Sequence, residues 1–95
     1  MTVNSEIIKN SIKYYGVDLQ STVCMEECAE LIQAISKEKR GKHDYNNLSE
    51  EIADVLICIS MLQAMYHVND RDIQRWIEYK LERIVERMKH DESHI

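Results

Sequence analysis

The chain has 95 residues, enough for one small domain, which we take to span residues 1–95 with its core over about residues 18–90. With 12 Lys and Arg against 17 Asp and Glu, the formal net charge is −5 at pH 7, which argues against nucleic acid as a partner because basic side chains supply most of the attraction to phosphates. The chain has no proline and two isolated glycines, which excludes turn-rich β-sandwiches and the glycine-rich phosphate loops of nucleotide-binding folds.

Two helices are predicted in the first half of the chain. The first runs from about Asn4 to Tyr15, and Gly16 follows as its stop signal. The second begins near Ser21, with Ser21 or Asp18 as its cap, and ends at Arg40, where basic residues complement the helix dipole. Its apolar residues recur at helical spacing and predict a core stripe made of Cys24, Cys28, Leu31 and Ile35.

A third helix is predicted after the polar connection formed by residues 41–47. It opens at Leu48 or Ser49 and reaches about His67. Apolar side chains cover nearly its whole circumference, so it must be enclosed, and a chain of this length has little material for that. We therefore expect partner subunits to cover part of this helix.

The fourth helix is predicted from about Arg71 to Lys89, with Asn69 or Asp70 as its cap, and residues 91–95 are expected to fray. Its predicted core side consists of Ile73, Ile77, Leu81, Ile84 and Met88. The four segments together predict an all-α fold, a short bundle of three to four helices completed by oligomerisation as a homodimer or homotetramer.

Five acidic residues lie on the second and third helices. Residues three or four apart project to nearly the same side of a helix, so two carboxylates converge on each helix, and antiparallel packing would bring four together. Oxygen ligands without histidine suit a hard cation, Mg²⁺ or Mn²⁺. Two alternatives stay open: a solvated face on the second helix, and acids that complement the dipole in the first turn of the third. The five residues are Glu26, Glu27, Glu30, Glu51 and Asp54.

The order of these acids resembles a known family motif. Glu26-Glu27-Cys28-Ala29-Glu30, a gap, and then Glu51-Ile52-Ala53-Asp54 match the pattern E-E-x-x-E followed by E-x-x-D. This pattern is typical of the all-α nucleoside triphosphate pyrophosphohydrolases of the MazG type, which are related to dimeric dUTPases, dCTP pyrophosphatase and phosphoribosyl-ATP pyrophosphatase. The resemblance covers roughly Ser21 to Arg87.

The resemblance implies Mg²⁺-dependent hydrolysis between the α and β phosphates of a nucleoside triphosphate, giving the monophosphate and pyrophosphate. It implies that Glu27, Glu30, Glu51 and Asp54 are metal ligands. It also implies that Glu26 orients or deprotonates the attacking water.

The fourth helix carries a second candidate set, Trp76, Lys80, Arg83 and Arg87, spaced i, i+4, i+7, i+11 along one side. Stacked cations repel one another unless they face acids or phosphates, and guanidinium groups match phosphate oxygens. Lys80 and Arg83 also resemble a basic pair of the family, although Glu78 stands where some members have asparagine. The alternatives are a solvated helix on which acids alternate with these cations, and an interface anchor in place of a base-stacking Trp76.

The cysteines, the first residues and the apolar runs indicate the cellular compartment. Cys24, Cys28 and Cys58 fall inside helical patterns and are expected to be reduced thiols, without the histidine that a zinc site with them would need. Cys58 follows Asp54 by one turn, so it either lines the substrate pocket or packs in the core. The first residues lack a secretory signal, and the longest apolar run is too short to span a membrane. We expect a cytoplasmic protein without a membrane partner.

The sequence therefore predicts a nucleoside triphosphate pyrophosphohydrolase, a hydrolase acting in nucleotide-pool housekeeping. Two other functions stay open. One is a phosphoribosyl-ATP pyrophosphatase-like enzyme, which shares the metal chemistry. The other is a noncatalytic helical oligomerisation or regulatory module, in which the acids are surface charge or hold a metal without turnover.

Overall fold

The computed structural model describes residues 1–93. Within that range the chain forms four helices and no strand: α1 (Ser5–Tyr15), α2 (Val17–Lys39), α3 (Tyr45–Tyr66) and α4 (Asp70–Ser93). The predicted all-α class is confirmed. The first three helices pack against one another, with α2 and α3 sharing the largest contact, whereas α4 has no extended packing against them.

The start of α2 differs from the prediction. The helix begins at Val17, directly after α1, so Ser21 and Asp18 lie inside it and neither caps it. Gly16 makes this possible because its φ of 90° and ψ of 160° define a conformation that is essentially restricted to glycine. Its amide donates to the carbonyl of Ile12 at 2.7 Å, and its carbonyl accepts from the amide of Gln20 at 3.1 Å. One residue therefore both ends α1 and begins α2.

The connection between α2 and α3 is also shorter than predicted. α3 begins at Tyr45, three residues before Leu48, because the Asp44 side chain caps it by accepting from the amide of Asn47 at 3.0 Å. Glu38 holds the connection in place through the Asp44 amide at 2.9 Å and His43 Nδ1 at 2.6 Å. The hydrogen bond with His43 lowers the pKa of Glu38. The tight connection returns the chain so that α3 packs along α2.

Contacts further along show that α2 and α3 are antiparallel. The Cys24 thiol donates to the carbonyl of Cys58 at 3.7 Å, and the hydroxyls of Ser21 and Tyr66 share a hydrogen bond of 2.6 Å. The earlier residue on α2, Ser21, thus contacts the later residue on α3, Tyr66, as antiparallel packing requires. Cys24, Cys58 and Met65 form the buried centre of this small core.

The inner side of α2 is not the predicted stripe. Cys28 is exposed and Ile35 is 47% exposed, so these two positions of the stripe are wrong. The side that faces α3 consists instead of buried Gln20, Cys24 and Ala34 with half-buried Glu27 and Leu31. Two of these five residues are polar, and a pattern that follows hydrophobicity alone excludes them.

α4 extends away from the other helices. None of its described residues is buried, so its predicted core side does not lie in a core within one chain. The radius of gyration is 16.9 Å, whereas a compact domain of this length has about 12 Å. The helix continues to Ser93, beyond the expected end at Lys89. Of the tail that was expected to fray, residues 94 and 95 lie outside the described residues.

Across residues 1–93, no helix combines the length and the apolar character that a bilayer crossing requires.

Candidate metal centre

Four carboxylates meet where α2 and α3 pack side by side. Glu27 and Glu30 on α2 and Glu51 and Asp54 on α3 each offer one oxygen, and these oxygens all lie within 4.8 Å of one another. The i, i+3 spacing points both members of each pair the same way, and the antiparallel packing turns the two pairs toward each other. We call these four residues the acid cluster.

The acid cluster is partly shielded from water. Glu27, Glu51 and Asp54 are half-buried, and Glu30 is exposed. The Oε2 atoms of Glu27 and Glu51 are buried and have no hydrogen-bond partner among residues 1–93. Burying an ionised carboxylate without a partner is strongly unfavourable, so these two oxygens require a proton or a cation.

The electrostatics of the acid cluster agree with its geometry. Burial, followed by the neighbouring carboxyl of Asp54, raises the pKa of Glu27 to about 7. Burial, followed by the charge of Glu30, also raises the pKa of Glu51. In both residues the environment opposes the negative charge that a carboxylate normally carries at pH 7. A cation bound between these carboxylates would stabilise their negative charge.

The donor set fits a hard divalent cation. Four carboxylate oxygens from four residues match the preference of Mg²⁺ and Mn²⁺ for oxygen ligands. Cys58, the nearest thiol on α3, is 2% exposed and packs on Cys24. Burial raises the pKa of Cys58 to about 12, which keeps its sulfur protonated and poorly suited to bind a metal. The structure places Cys58 in the core beside the acid cluster, and its part in binding a substrate stays a prediction.

The two alternative explanations of these acids fare differently. α3 begins at Tyr45, so Glu51 is its seventh residue, and no acid lies in its first turn. The dipole explanation for Glu51 and Asp54 is therefore wrong. The alternative that the acids of α2 form a solvated face holds for Glu26, which is exposed and lies outside the acid cluster. It does not hold for Glu27, which is half-buried. The role of Glu26 toward water stays a prediction.

The second candidate set lies on α4, away from the acid cluster. The Lys80 ammonium lies 5.8 Å from the centre of the Trp76 ring, and Arg83 lies 5.9 Å from that of Tyr79. Arg87 continues the basic side, lining a shallow hollow with Lys80 and Arg83. One chain thus groups these residues with one another but does not bring them to the acid cluster.

Tyr79 was missed by the sequence reasoning. Its ring meets that of Trp76 edge to face at 5.9 Å, and it also supports Arg83. The signal was its position three residues after Trp76, which places two aromatic rings on neighbouring turns.

Comparison with known proteins adds one finding. Residues 18–92 match the sequence model of the MazG nucleotide pyrophosphohydrolase domain, which covers most of the chain. No curated protein and no solved structure gives a significant match. The matched range includes the acid cluster on α2 and α3 and the basic side of α4.

The raised pKa of Glu27 predicts how the stability of the metal-free protein depends on pH. Its ordinary pKa is 4.5 and its value in the folded protein is about 7, so the folded state binds more protons between these values. The contribution of Glu27 to the free energy of unfolding is therefore full below pH 4.5 and is lost as the pH rises through 7. Urea unfolding in EDTA should show falling stability across this window.

Glu27→Gln should flatten this dependence, because the amide does not titrate. Glu50→Gln is the matched control, since Glu50 is exposed and lies outside the acid cluster, and it should keep the slope. A stability that rises with pH across the window, or a slope unchanged by Glu27→Gln, would contradict the coupling of Glu27 to the acid cluster.

Proposed function

Because the chain belongs to the MazG nucleotide pyrophosphohydrolase family, we propose that it is a Mg²⁺-dependent hydrolase that converts a ribo- or deoxyribonucleoside triphosphate to the monophosphate and pyrophosphate. Mn²⁺ is the expected substitute. The observation that carries the proposal is the acid cluster, in which one oxygen from each of four residues lies within 4.8 Å of the others. Two of these residues, Glu27 and Glu51, each have a buried oxygen without a hydrogen-bond partner among residues 1–93.

The acid cluster has a defined part in this chemistry. Glu27, Glu30, Glu51 and Asp54 would hold the divalent cation, which when bound neutralises phosphate charge and lowers the pKa of water. Without such neutralisation, four carboxylates would repel a triphosphate. The two helices hold the four side chains on rigid backbone, which keeps the ligand positions fixed during the reaction.

Glu26 is proposed to act on the water. It immediately precedes Glu27 on α2, and its exposed carboxylate is free of the acid cluster. A carboxylate at the edge of the site is suited to orient a water or accept its proton.

The basic side of α4 is proposed to bind the substrate. Lys80, Arg83 and Arg87 supply cations for the phosphates, and guanidinium groups match phosphate oxygens in a bidentate manner. Trp76 offers an exposed ring for stacking on the base. Since one chain keeps this side apart from the acid cluster, binding by both sets at once requires an oligomer.

The protein is proposed to act in the cytosol, in control of the nucleotide pool. Its three cysteines are all free, and two of them touch in the core without a disulfide. Free thiols in contact are typical of proteins that work in a reducing compartment.

Turnover tests the proposal. The protein should release monophosphate and pyrophosphate from at least one member of a panel of ribo-, deoxyribo- and damaged nucleoside triphosphates with Mg²⁺. Glu51→Gln should lower kcat by roughly 100-fold or more, because it removes a charged ligand. Glu50→Gln, the neighbouring exposed carboxylate, should keep activity within a few-fold, and circular dichroism should show equal helix content.

Other outcomes discriminate the remaining functions. Release of diphosphate and orthophosphate would contradict the assigned bond. Hydrolysis confined to phosphoribosyl-ATP would favour the related pyrophosphatase. Full activity in Glu51→Gln would remove the acid cluster from catalysis, and no turnover on any substrate would favour a noncatalytic module.

Arg83→Ala tests the basic side of α4 separately. Loss of a charged hydrogen bond to phosphate should raise KM for the triphosphate about 10-fold, with a smaller change in kcat. Arg75→Ala is the matched control, because Arg75 is on the same helix and pairs with Asp72 at 3.6 Å. Steady-state kinetics that are equal in the two variants would exclude Arg83 from the site.

A further inference from the structure

The end of α2 and the connection after it concentrate positive charge. Residues 37–42 contain four of the six Lys and Arg residues found in residues 1–69: Lys37, Lys39, Arg40 and Lys42. The single acid among them, Glu38, accepts hydrogen bonds from the Asp44 amide and His43 Nδ1. We call residues 37–42 the basic end of the bundle, because the acid cluster lies further back along α2.

Lys37 lies on the side of α2 that leads to the acid cluster. It follows Glu30 by seven residues, so the two positions are about 20° apart around the helix and about 10.5 Å apart along it. Ala34, one turn before Lys37, is buried on the side that faces α3. Because the Cα–Cβ bonds of a helix tilt toward its N-terminus, that of Lys37 points along the helix toward Glu30.

The Lys37 ammonium has no partner within residues 1–93. Lys37 is exposed, and the ion pairs of that range join His43 to Glu38 and Arg75 to Asp72. Arg40 differs, because its Nε donates to the carbonyl of Ser36 at 3.3 Å. The charge of Lys37 is therefore available to a ligand that extends from the acid cluster.

The opposite direction between α2 and α3 is closed to such a ligand. Cys24 and Cys58 follow the acid cluster on that side, and both are buried in the core that they form with Met65. Phosphate groups are excluded from this core, because burying a charge among apolar side chains is strongly unfavourable. A phosphate chain held at the acid cluster can therefore extend toward the basic end but not toward these cysteines.

Charge balance also favours a cation at the basic end. A divalent cation carries less positive charge than the negative charge that four carboxylates and a triphosphate carry together. The terminal phosphate carries more charge than either inner phosphate, so it gains most from a further cation nearby.

We infer that Lys37 binds the terminal phosphate of the substrate, so that the site selects triphosphates over shorter phosphate chains. This inference rests on the proposed function, which it extends from the metal centre to the length of the phosphate chain. Lysine suits this task because its ammonium is a compact charge with three donors on a flexible stem, and a terminal phosphate presents several acceptor oxygens.

Calorimetric titration of inorganic polyphosphates in Mg²⁺ tests the inference without a nucleoside and without turnover. Lys37→Gln should lower the affinity for tripolyphosphate about 10-fold, because it removes a charged hydrogen bond. The affinity for pyrophosphate should stay nearly unchanged, because the shorter chain held at the acid cluster does not reach Lys37. Lys37→Arg keeps the charge and should retain most of the affinity for tripolyphosphate.

Lys39→Gln is the matched control. Lys39 is exposed and lies in the same last turn of α2 as Lys37, so both complement the helix dipole. It follows Glu30 by nine residues, which places it about 180° away, on the opposite side of the helix. Lys39→Gln should keep the tripolyphosphate affinity of the unmodified chain.

Four results would overturn the inference. They are the absence of tripolyphosphate binding by the unmodified chain, an unchanged affinity in Lys37→Gln, an equal loss for both polyphosphates in Lys37→Gln, and an equal loss in Lys37→Gln and Lys39→Gln. None of them decides whether the protein hydrolyses a nucleotide, which the turnover of the unmodified chain measures. A protein with turnover whose tripolyphosphate binding is independent of Lys37 would keep the proposed function and refute this inference alone.

Discussion

The burial of closely spaced carboxylates between α2 and α3 is the constraint on which the site depends. Between these helices lie two buried carboxylate oxygens that have no hydrogen-bond partner within residues 1–93, beside two further acids. Burial, followed by the neighbouring carboxyl of Asp54, raises the pKa of Glu27 to about 7, because this environment disfavours the negative charge. The chain tolerates this arrangement at the cost of stability, as is typical where local strain or charge serves a binding site.

The grouping of the acids could be predicted from sequence, whereas their burial could not. Spacing of three residues determines that Glu51 and Asp54 share a side of a helix, whatever the helix packs against. The side of α2 that faces α3 includes Gln20 and Glu27, polar residues that a hydrophobic pattern assigns to solvent. The site therefore lies on a side of α2 that the hydrophobic pattern assigns to solvent but that packs against α3.

Helix boundaries and the position of α4 depended on interactions that periodicity does not contain. Gly16 joins two helices without a linker, and Asp44 begins α3 early because Glu38 holds it in place. Periodicity also predicted a core side of α4 that includes Leu81, but not the direction in which α4 leaves the bundle. The structure shows that no described residue of α4 is buried and that α4 has no extended packing against the other helices, so its predicted core side is not covered within one chain.

Calorimetric titration of Mn²⁺ into the metal-free protein tests most directly whether the acid cluster holds a cation. The unmodified chain and Glu50→Gln should both show saturable binding. Asp54→Asn should lose it while keeping its helix content, because one of the four converging oxygens no longer carries charge. Binding that is absent from the unmodified chain, or that is equally strong in Asp54→Asn, would contradict a metal centre between α2 and α3.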